Sequence, residues 1–371
     1  MATDFGREVL PYGVFSVGDG ARRVGVAVDD GVLDLAEALG PEWATASLNS
    51  FLGRGREHWA SVRQQVRQLL GRPLVPSADV RLHLPFAVAD FVDFYASEQH
   101  ATNLGRILRP DAAALLPNWR HLPVGYHGRA GTVVVSGTDV RRPCGLRAPG
   151  PSYGPTRRLD VEVEVGFVVG TPSTLGTPVP AQDFQEHVFG VVLVNDWSAR
   201  DIQSFEYVPL GPFLGKSFAT SISPWVIPLE ALDLVRAPVQ DPPVAAYLHG
   251  GRDWGLGLTL SLALNGEVVS RPPFAGLYWT APQLLAHLTV NGAALRTGDL
   301  FASGTVSGDG RRARVAHRAD LERPRPAHPG GGRRTFLEDG DEVVISARTG
   351  RGLPLGEVTG RVLPARQAAD S

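Results

Sequence analysis

The chain has 371 residues, a formal net charge of -2, 20% charged and 43% apolar residues. This length and mix exclude a disordered or fibrous chain and allow one large domain or two ordinary ones, while near-neutrality gives no general attraction to nucleic acid or an anionic membrane. Cys144 is the one cysteine, so neither an intrachain disulfide nor a cysteine-built zinc cage can form.

Residues 1–10 carry Asp4, Arg7 and Glu8 and lack the apolar core of a signal peptide, and no stretch approaches the ~20 apolar residues of a membrane helix. The expectation is a soluble, cytoplasmic protein. Gly (43) and Pro (30) punctuate the whole chain, and the short Val-rich runs between them predict a mainly β protein. Over residues 12–36, Val14, Phe15 and Val17 and then Val24, Val26 and Val28 predict short strands. Residues 43–71 read as helix broken at Gly53 and Gly55, and Pro73 and Pro76 mark a linker. A domain boundary falls near residue 85, with 1–85 as a small barrel-like module and 86–371 as one large β-rich domain. Strand candidates in the latter are 132–136, 160–169, 188–195, 224–228, 258–264, 267–270, 299–303 and 342–347. Helix candidates are 97–108, with Ala101, Leu104, Ile107 and Leu108 on one face, and 281–290, with Leu284, Leu285 and Leu288 together. Residues 308–334 are basic, rich in Gly and Pro, and without periodicity.

Four segments could carry chemistry. In residues 159–167 the alternation of a strand puts Val161, Val163 and Val165 on one side and Asp160, Glu162 and Glu164 on the other. Glu162 and Glu164 are then roughly 7 Å apart at Cα, within reach of one Ca²⁺, Mg²⁺ or Mn²⁺ ion. The same segment also reads as an edge strand with a solvated acidic face. Asp196 follows the apolar run 191–194, where a rigid strand can hold a ligand or a catalytic acid, and Arg200 and Gln203 supply donors for a carboxylate or an oxyanion. As a turn or helix cap, Asp196 would be purely structural. Asp93 and Ser97 sit where caps belong, and His100 lies in the first turn of a helix. Finally, Lys216 is the only lysine among 36 Lys and Arg residues. A GC-rich genome accounts for arginine wherever surface charge suffices, but an ammonium and a guanidinium are not interchangeable at a shaped site. Gly211 and Gly215 have three residues between them where the Walker spacing has four, so this Gly-Lys run is not a nucleotide loop.

Long stretches together resemble the fumarylacetoacetase (fumarylacetoacetate hydrolase) family. They are residues 93–103 (Asp-Phe-Tyr-Ala-Ser-Glu-Gln-His-Ala-Thr-Asn), 117–129 (Pro-Asn-Trp-Arg-His-Leu-Pro-Val-Gly-Tyr-His-Gly-Arg), 134–138 (Val-Val-Ser-Gly-Thr), 195–203 (Asn-Asp-Trp-Ser-Ala-Arg-Asp-Ile-Gln), 206–218 (Glu-Tyr-Val-Pro-Leu-Gly-Pro-Phe-Leu-Gly-Lys-Ser-Phe), 300–308 (Leu-Phe-Ala-Ser-Gly-Thr-Val-Ser-Gly) and 336–343 (Phe-Leu-Glu-Asp-Gly-Asp-Glu-Val). The resemblance implies a small SH3-like N-terminal barrel followed by a large mixed β-sandwich roll, assembled as a homodimer. It implies a Ca²⁺ or Mg²⁺ ion held by Asp93, Glu162, Glu164 and Asp196, with a further Mg²⁺-type role near Asp196, Lys216 and Thr220. His100 matches the general base, and Arg200, Gln203 and Lys216 match groups that stabilise oxyanionic intermediates. Tyr95, Arg109, Tyr126, Gln203, Tyr207 and Thr305 match substrate contacts. The implied reaction is hydrolysis of a carbon–carbon bond of 4-fumarylacetoacetate, a dicarboxylic diketo acid, to fumarate and acetoacetate at the end of tyrosine and phenylalanine breakdown.

The resemblance lapses over 309–332, where the family carries an acidic residue that orients the histidine; besides Asp309 at its start, the segment holds only Asp320 and Glu322, and neither aligns with that residue. The hypothesis for this lapse is a shifted reading frame: with GC-rich codons, residues from Asp320 onward can be rewritten one base along as the family-like run Thr-Trp-Asn-Gly-Arg-Asp-Pro-Leu-Thr-Leu, and resequencing the gene tests it. Two alternatives remain: another oxo-acid hydrolase or decarboxylase of the superfamily, such as an acylpyruvase, and a non-catalytic Ca²⁺-binding β module.

Overall fold

β-Branched residues dominate the strands because a pleated surface buried on one or both faces favours them. In the computed structural model, which describes residues 5–108, 111, 113–147, 149–251, 253–308 and 335–366, Tyr12–Val17, Arg23–Val28 and Gly31–Asp34 form an antiparallel meander. Residues 73–76 are less of a linker than the two prolines predict, since Val75–Pro76 pairs with the meander's outer strand. Val80–His83 then returns to pair with Tyr12–Val17. The helical region splits at the two glycines into Asn49–Leu52 and Arg56–Gln68. The second helix buries Trp59, Val62, Arg63 and Val66, the i, i+3, i+4, i+7 stripe of one face.

The N-terminal strands continue into the rest of the protein. Tyr12 and Gly13 pair with Val226 and Trp225, which joins the meander to a 13-stranded sheet. From that junction the order is Trp225–Pro228, Val188–Asp196, Val163–Val169, Leu300–Ala302, Phe91–Phe94 and Gly125–His127. A second sheet of five strands is built on Leu258–Leu264, Glu342–Thr349 and Pro354–Leu363. Its inward residues Leu258, Leu260, Leu262 and Ile345 share one core with Val163, Val165 and Phe167 of the large sheet. The protein is therefore mainly β, with an N-terminal unit and a larger sandwich-like body.

The acidic strand departs from its edge-strand reading. Val163–Val169 lies between Val188–Asp196 and Leu300–Ala302, and all seven of its residues are buried. Val165 and Phe167 face one core and Val168 the other. A strand covered on both faces has no solvated side, so the carboxylate of Glu164 goes inside. Phe91–Phe94, which the sequence pattern marks only as a capping region, is a strand, and it pairs in parallel with Leu300–Ala302.

Gly304 fixes how these two strands leave the sheet. Its φ is +73°, and a Cβ there would stand 2.0 Å from the Phe94 carbonyl oxygen. Gly304→Ala should cost about 2–4 kcal/mol, from the left-handed conformation and the backbone displacement together. Urea denaturation measures this, and a variant with the parent's midpoint would contradict the account.

Candidate active site and metal centre

Strand ends converge on one buried cluster. Asp93 is the next-to-last residue of Phe91–Phe94 and lies opposite Tyr126, Glu164 sits opposite Val194, and Asp196 ends its strand opposite Thr220. Carboxylate oxygens of Asp93, Glu164 and Asp196 lie within 4.8 Å of one another. Glu162 belongs to the same cluster but turns elsewhere. The strand ladder is interrupted at Val161 and Glu162, Asp160 pairs instead with Ser198, and Glu162 forms ion pairs with Lys216 and with Arg200 Nη1 at 2.7 Å. The simple alternation of residues 160–164 thus holds the three acids near each other but gives them different partners.

Three cations meet these acids. Lys216 Nζ donates to Glu162 and, at 2.7 Å, to Asp196 Oδ2, and stands 3.9 Å from Asp93 Oδ2. Arg200 Nε donates to Asp160 Oδ2 at 3.0 Å, and its Nη1 also reaches Gln203 Oε1 at 3.2 Å. Arg129 Nη2 bridges Asp93 Oδ2 at 2.9 Å and Asp196 Oδ2 at 2.6 Å. Thr220 Oγ1 donates to the other oxygen of Asp196 at 2.9 Å. Lys216 is held in place by Gly215, whose absent Cβ would stand 2.7 Å from the Gln203 backbone nitrogen.

Burial sets the protonation states. It opposes the charge on Glu162, yet Lys216 and Arg200 hold that carboxyl well below the usual range. Burial also opposes the Lys216 ammonium, but Asp196, Glu162 and Asp93 raise its pKa. Glu164 pairs with neither: burial, then Asp93, Glu162 and Asp196, push it well above the usual range against a weaker pull from Lys216, and neither of its oxygens has a hydrogen-bond partner among the described residues. With all five carboxylates ionised (Asp93, Asp160, Glu162, Glu164, Asp196), three cations (Arg129, Arg200, Lys216) would leave two negative charges. A divalent cation with a preference for oxygen fits both the charge and the orphaned Glu164. As an ammonium, Lys216 has no lone pair to offer a metal, so its side chain serves the site by holding carboxylates.

Over this cluster opens a cavity of ≈ 360 Å³ lined by Tyr95, His100, Tyr126, Arg200, Lys216 and Thr305 among others. Ser97 Oγ accepts from the His100 amide at 3.2 Å, which starts the helix Glu98–Leu108 and seats His100 in its first turn. The imidazole packs edge-on against Tyr95, with centroids 5.2 Å apart, and its Nδ1 is 3.5 Å from Ser307 Oγ. Gln203 and Tyr207 also line the cavity. Among the described residues, Arg200 Nη2 and Thr305 Oγ1 are buried without a hydrogen-bond partner. Arg109 and the segment 309–332 lie outside the described residues.

Residues 90–363 match the family described as fumarylacetoacetate (FAA) hydrolase C-terminal, and residues 8–85 match the one described as fumarylacetoacetase N-terminal. The chain belongs to the fumarylacetoacetate hydrolase family. It is 45% identical over 410 residues to the fumarylacetoacetase of Caenorhabditis elegans, covering 98% of this chain and 97% of that protein. It is 43% identical to that of Homo sapiens, again with 98% and 97% covered. Among solved structures, a putative HpcE protein from Mycobacterium smegmatis superposes with TM-score 0.60 at 23% identity, covering 95% of this chain and 99% of that one. A fumarylacetoacetate hydrolase from psychrophilic Exiguobacterium antarcticum gives TM-score 0.58 at 20% identity, covering 96% and 100%. At those identities the likeness concerns the fold.

Within this family site, two residues carry contacts that sequence patterns did not assign. Asp160 stands out in the sequence only as one of three alternating acids, and Arg129 only as the end of a matching stretch. No local signal marks either, because their partners are 40 and 67 positions away.

An ion-free site carries a pH signature. Burial raises Asp93 from 3.8 to about 6 against the pull of Lys216 and Arg129. An acid whose folded pKa is raised keeps its proton in the folded state while the unfolded chain releases it. The ion-free protein therefore loses stability as pH rises from 3.8 to about 6, and a bound divalent cation removes that loss. The melting-temperature gap between Mg²⁺-loaded and chelator-treated protein should widen between about pH 4 and about pH 7. Calorimetry at a series of pH values measures the gap, and a constant gap would contradict this assignment.

Proposed function

We propose that the chain hydrolyses the carbon–carbon bond between the two keto groups of 4-fumarylacetoacetate, releasing fumarate and acetoacetate in tyrosine and phenylalanine degradation. The observation that carries this reading is near-full-length identity of 38–45% to relatives named fumarylacetoacetase, on a chain whose His100, Lys216 and Arg200 line one cavity over an acidic cluster. The alternative of a non-catalytic ion-binding module leaves those three residues without a role.

The metal would be held by Asp93, Glu164 and Asp196 with Glu162, and as Mg²⁺ or Ca²⁺ it supplies Lewis-acid polarisation of the substrate's keto oxygens. His100 takes a proton from water at an imidazole nitrogen, and the hydroxide so formed adds to the carbonyl of the fumaryl half. Glu162, close enough to sense charge on His100, stabilises the imidazolium. The bond between the two keto-bearing halves then breaks, its electron pair leaves with the acetoacetate half as an enolate, and the His100 proton returns to that carbon. Lys216, Gln203 and the unpartnered Nη2 of Arg200 face the developing oxyanion without large reorganisation. Tyr126, whose pKa burial and Asp93 push up, stays a neutral donor, and with Tyr95, Tyr207 and Thr305 it orients the substrate, far-end binding that brings the reacting carbon into place. Arg109 completes the carboxylate anchoring in this proposal. His100→Ala should lower kcat about 10²- to 10⁴-fold with the fold intact, read from loss of the substrate's ultraviolet absorbance in the presence of Mg²⁺. Turnover at the parent's rate would sink the mechanism.

The proposal extends to a homodimer in the cytoplasm. Val208, Leu210, Phe213 and Leu214 expose 48–94% of their surface on the loop beside the cavity, an apolar patch of the kind that marks a protein contact. No helix among the described residues is long and apolar enough to cross a membrane. Leu210→Asp with Phe213→Asp should shift sedimentation from dimer to monomer. A parent that sediments as a monomer would refute the dimer.

A further inference from the structure

The side chain of Arg129 is buried, only 4% exposed, and it touches two carboxylates of the proposed metal centre but does not line the cavity. Its guanidinium is stacked between two rings, 4.9 Å from the Phe91 centroid and 4.8 Å from that of Tyr126. Those rings flank Asp93 in structure: Phe91 is two residues back on the same strand and Tyr126 lies directly across from Asp93. The backbone is committed to this arrangement as well. Arg129 has φ +61°, a left-handed conformation that costs a non-glycine residue energy. It follows Gly128, whose amide donates to the Phe91 carbonyl at 2.9 Å. Thr132 closes the turn by donating to the Arg129 carbonyl from both its amide and its hydroxyl, each at 3.1 Å.

We propose that Arg129 is a positioning residue that fixes Asp93 and Asp196 at the separation a divalent cation requires. This rests on the metal-centre reading above. Asp93 and Asp196 come from strands that are not neighbours in the sheet, so no shared ladder sets their spacing, and their like charges repel. One Nη2 between Oδ2 of each holds them together, while the two rings keep the planar fork from rotating. A lysine in its place keeps the charge but offers a point donor with no plane to stack. Since Arg129 lies outside the cavity, its part is exerted on the acids and not on the substrate.

The test is titration calorimetry of Mg²⁺ and Mn²⁺ into chelator-stripped protein, comparing the parent with Arg129→Lys and with Phe91→Leu, which retains every charge and removes one ring. Circular dichroism checks the fold. Arg129→Lys should bind the ions about 10- to 100-fold more weakly, the range for groups that orient metal ligands. The substrate KM at saturating metal should change less than about twofold, since no substrate contact is removed. A loss of affinity below about tenfold overturns the proposal, as does a change confined to KM. If Arg129→Lys does not fold, Phe91→Leu decides on the same criterion. A parent that binds neither ion removes the metal-centre reading itself, whereas a binding parent with an unaffected Arg129→Lys removes only the role of Arg129.

Discussion

Charge burial governs this protein. Bringing carboxylates within 4.8 Å of one another inside a sheet sandwich is costly, because desolvation and mutual repulsion both disfavour the ionised forms. Most of that cost is offset locally by Lys216, Arg200 and Arg129, each engaging two acids at once. What remains falls on Glu164, whose two oxygens have no hydrogen-bond partner among the described residues. With its acids ionised, such a site would be two charges from neutral, a balance that suits a divalent cation. It is also tense without one, and the raised pKa of Glu164 expresses that tension.

The sheet supplies what such a site needs most, which is rigidity. Val163–Val169 and Val188–Asp196 are buried along their whole length, and close packing on both faces fixes their side chains in place. The chemistry sits at or just past the strand ends, where the following segments, the helix Glu98–Leu108 and the loop with Lys216, can lean over a cavity without disturbing the core. Gly215 and Gly304 are where backbone meets backbone at that rim, and a side chain at either would separate the elements.

Much of the fold was legible in the sequence for a simple reason. The strands at 188–196, 225–228, 258–264, 267–270 and 342–349 are β-branched or leucine-rich runs bounded by turn residues, and the helix Ala281–Thr289 opens on a capping box with a proline in its first turn. Phe91–Phe94 escaped because a four-residue strand that follows Asp90 and contains Asp93 resembles a capping region until its parallel partner is known. The acidic segment was ambiguous for a different reason: alternation shows that Asp160, Glu162 and Glu164 can share a side, but an exposed face and a buried one have the same period.

The sequence by itself determined the family, the mainly β class and the residue types of the site, since long matching stretches and local periodicity need no knowledge of what touches what. Only the tertiary structure decided how those residues divide their labour. It turned Glu162 toward Lys216 and Arg200, left Glu164 without a hydrogen-bond partner among the described residues, and placed Arg129 between Asp93 and Asp196. Each of these depends on distance in space between positions far apart in the chain, and electrostatic pairing follows that distance alone.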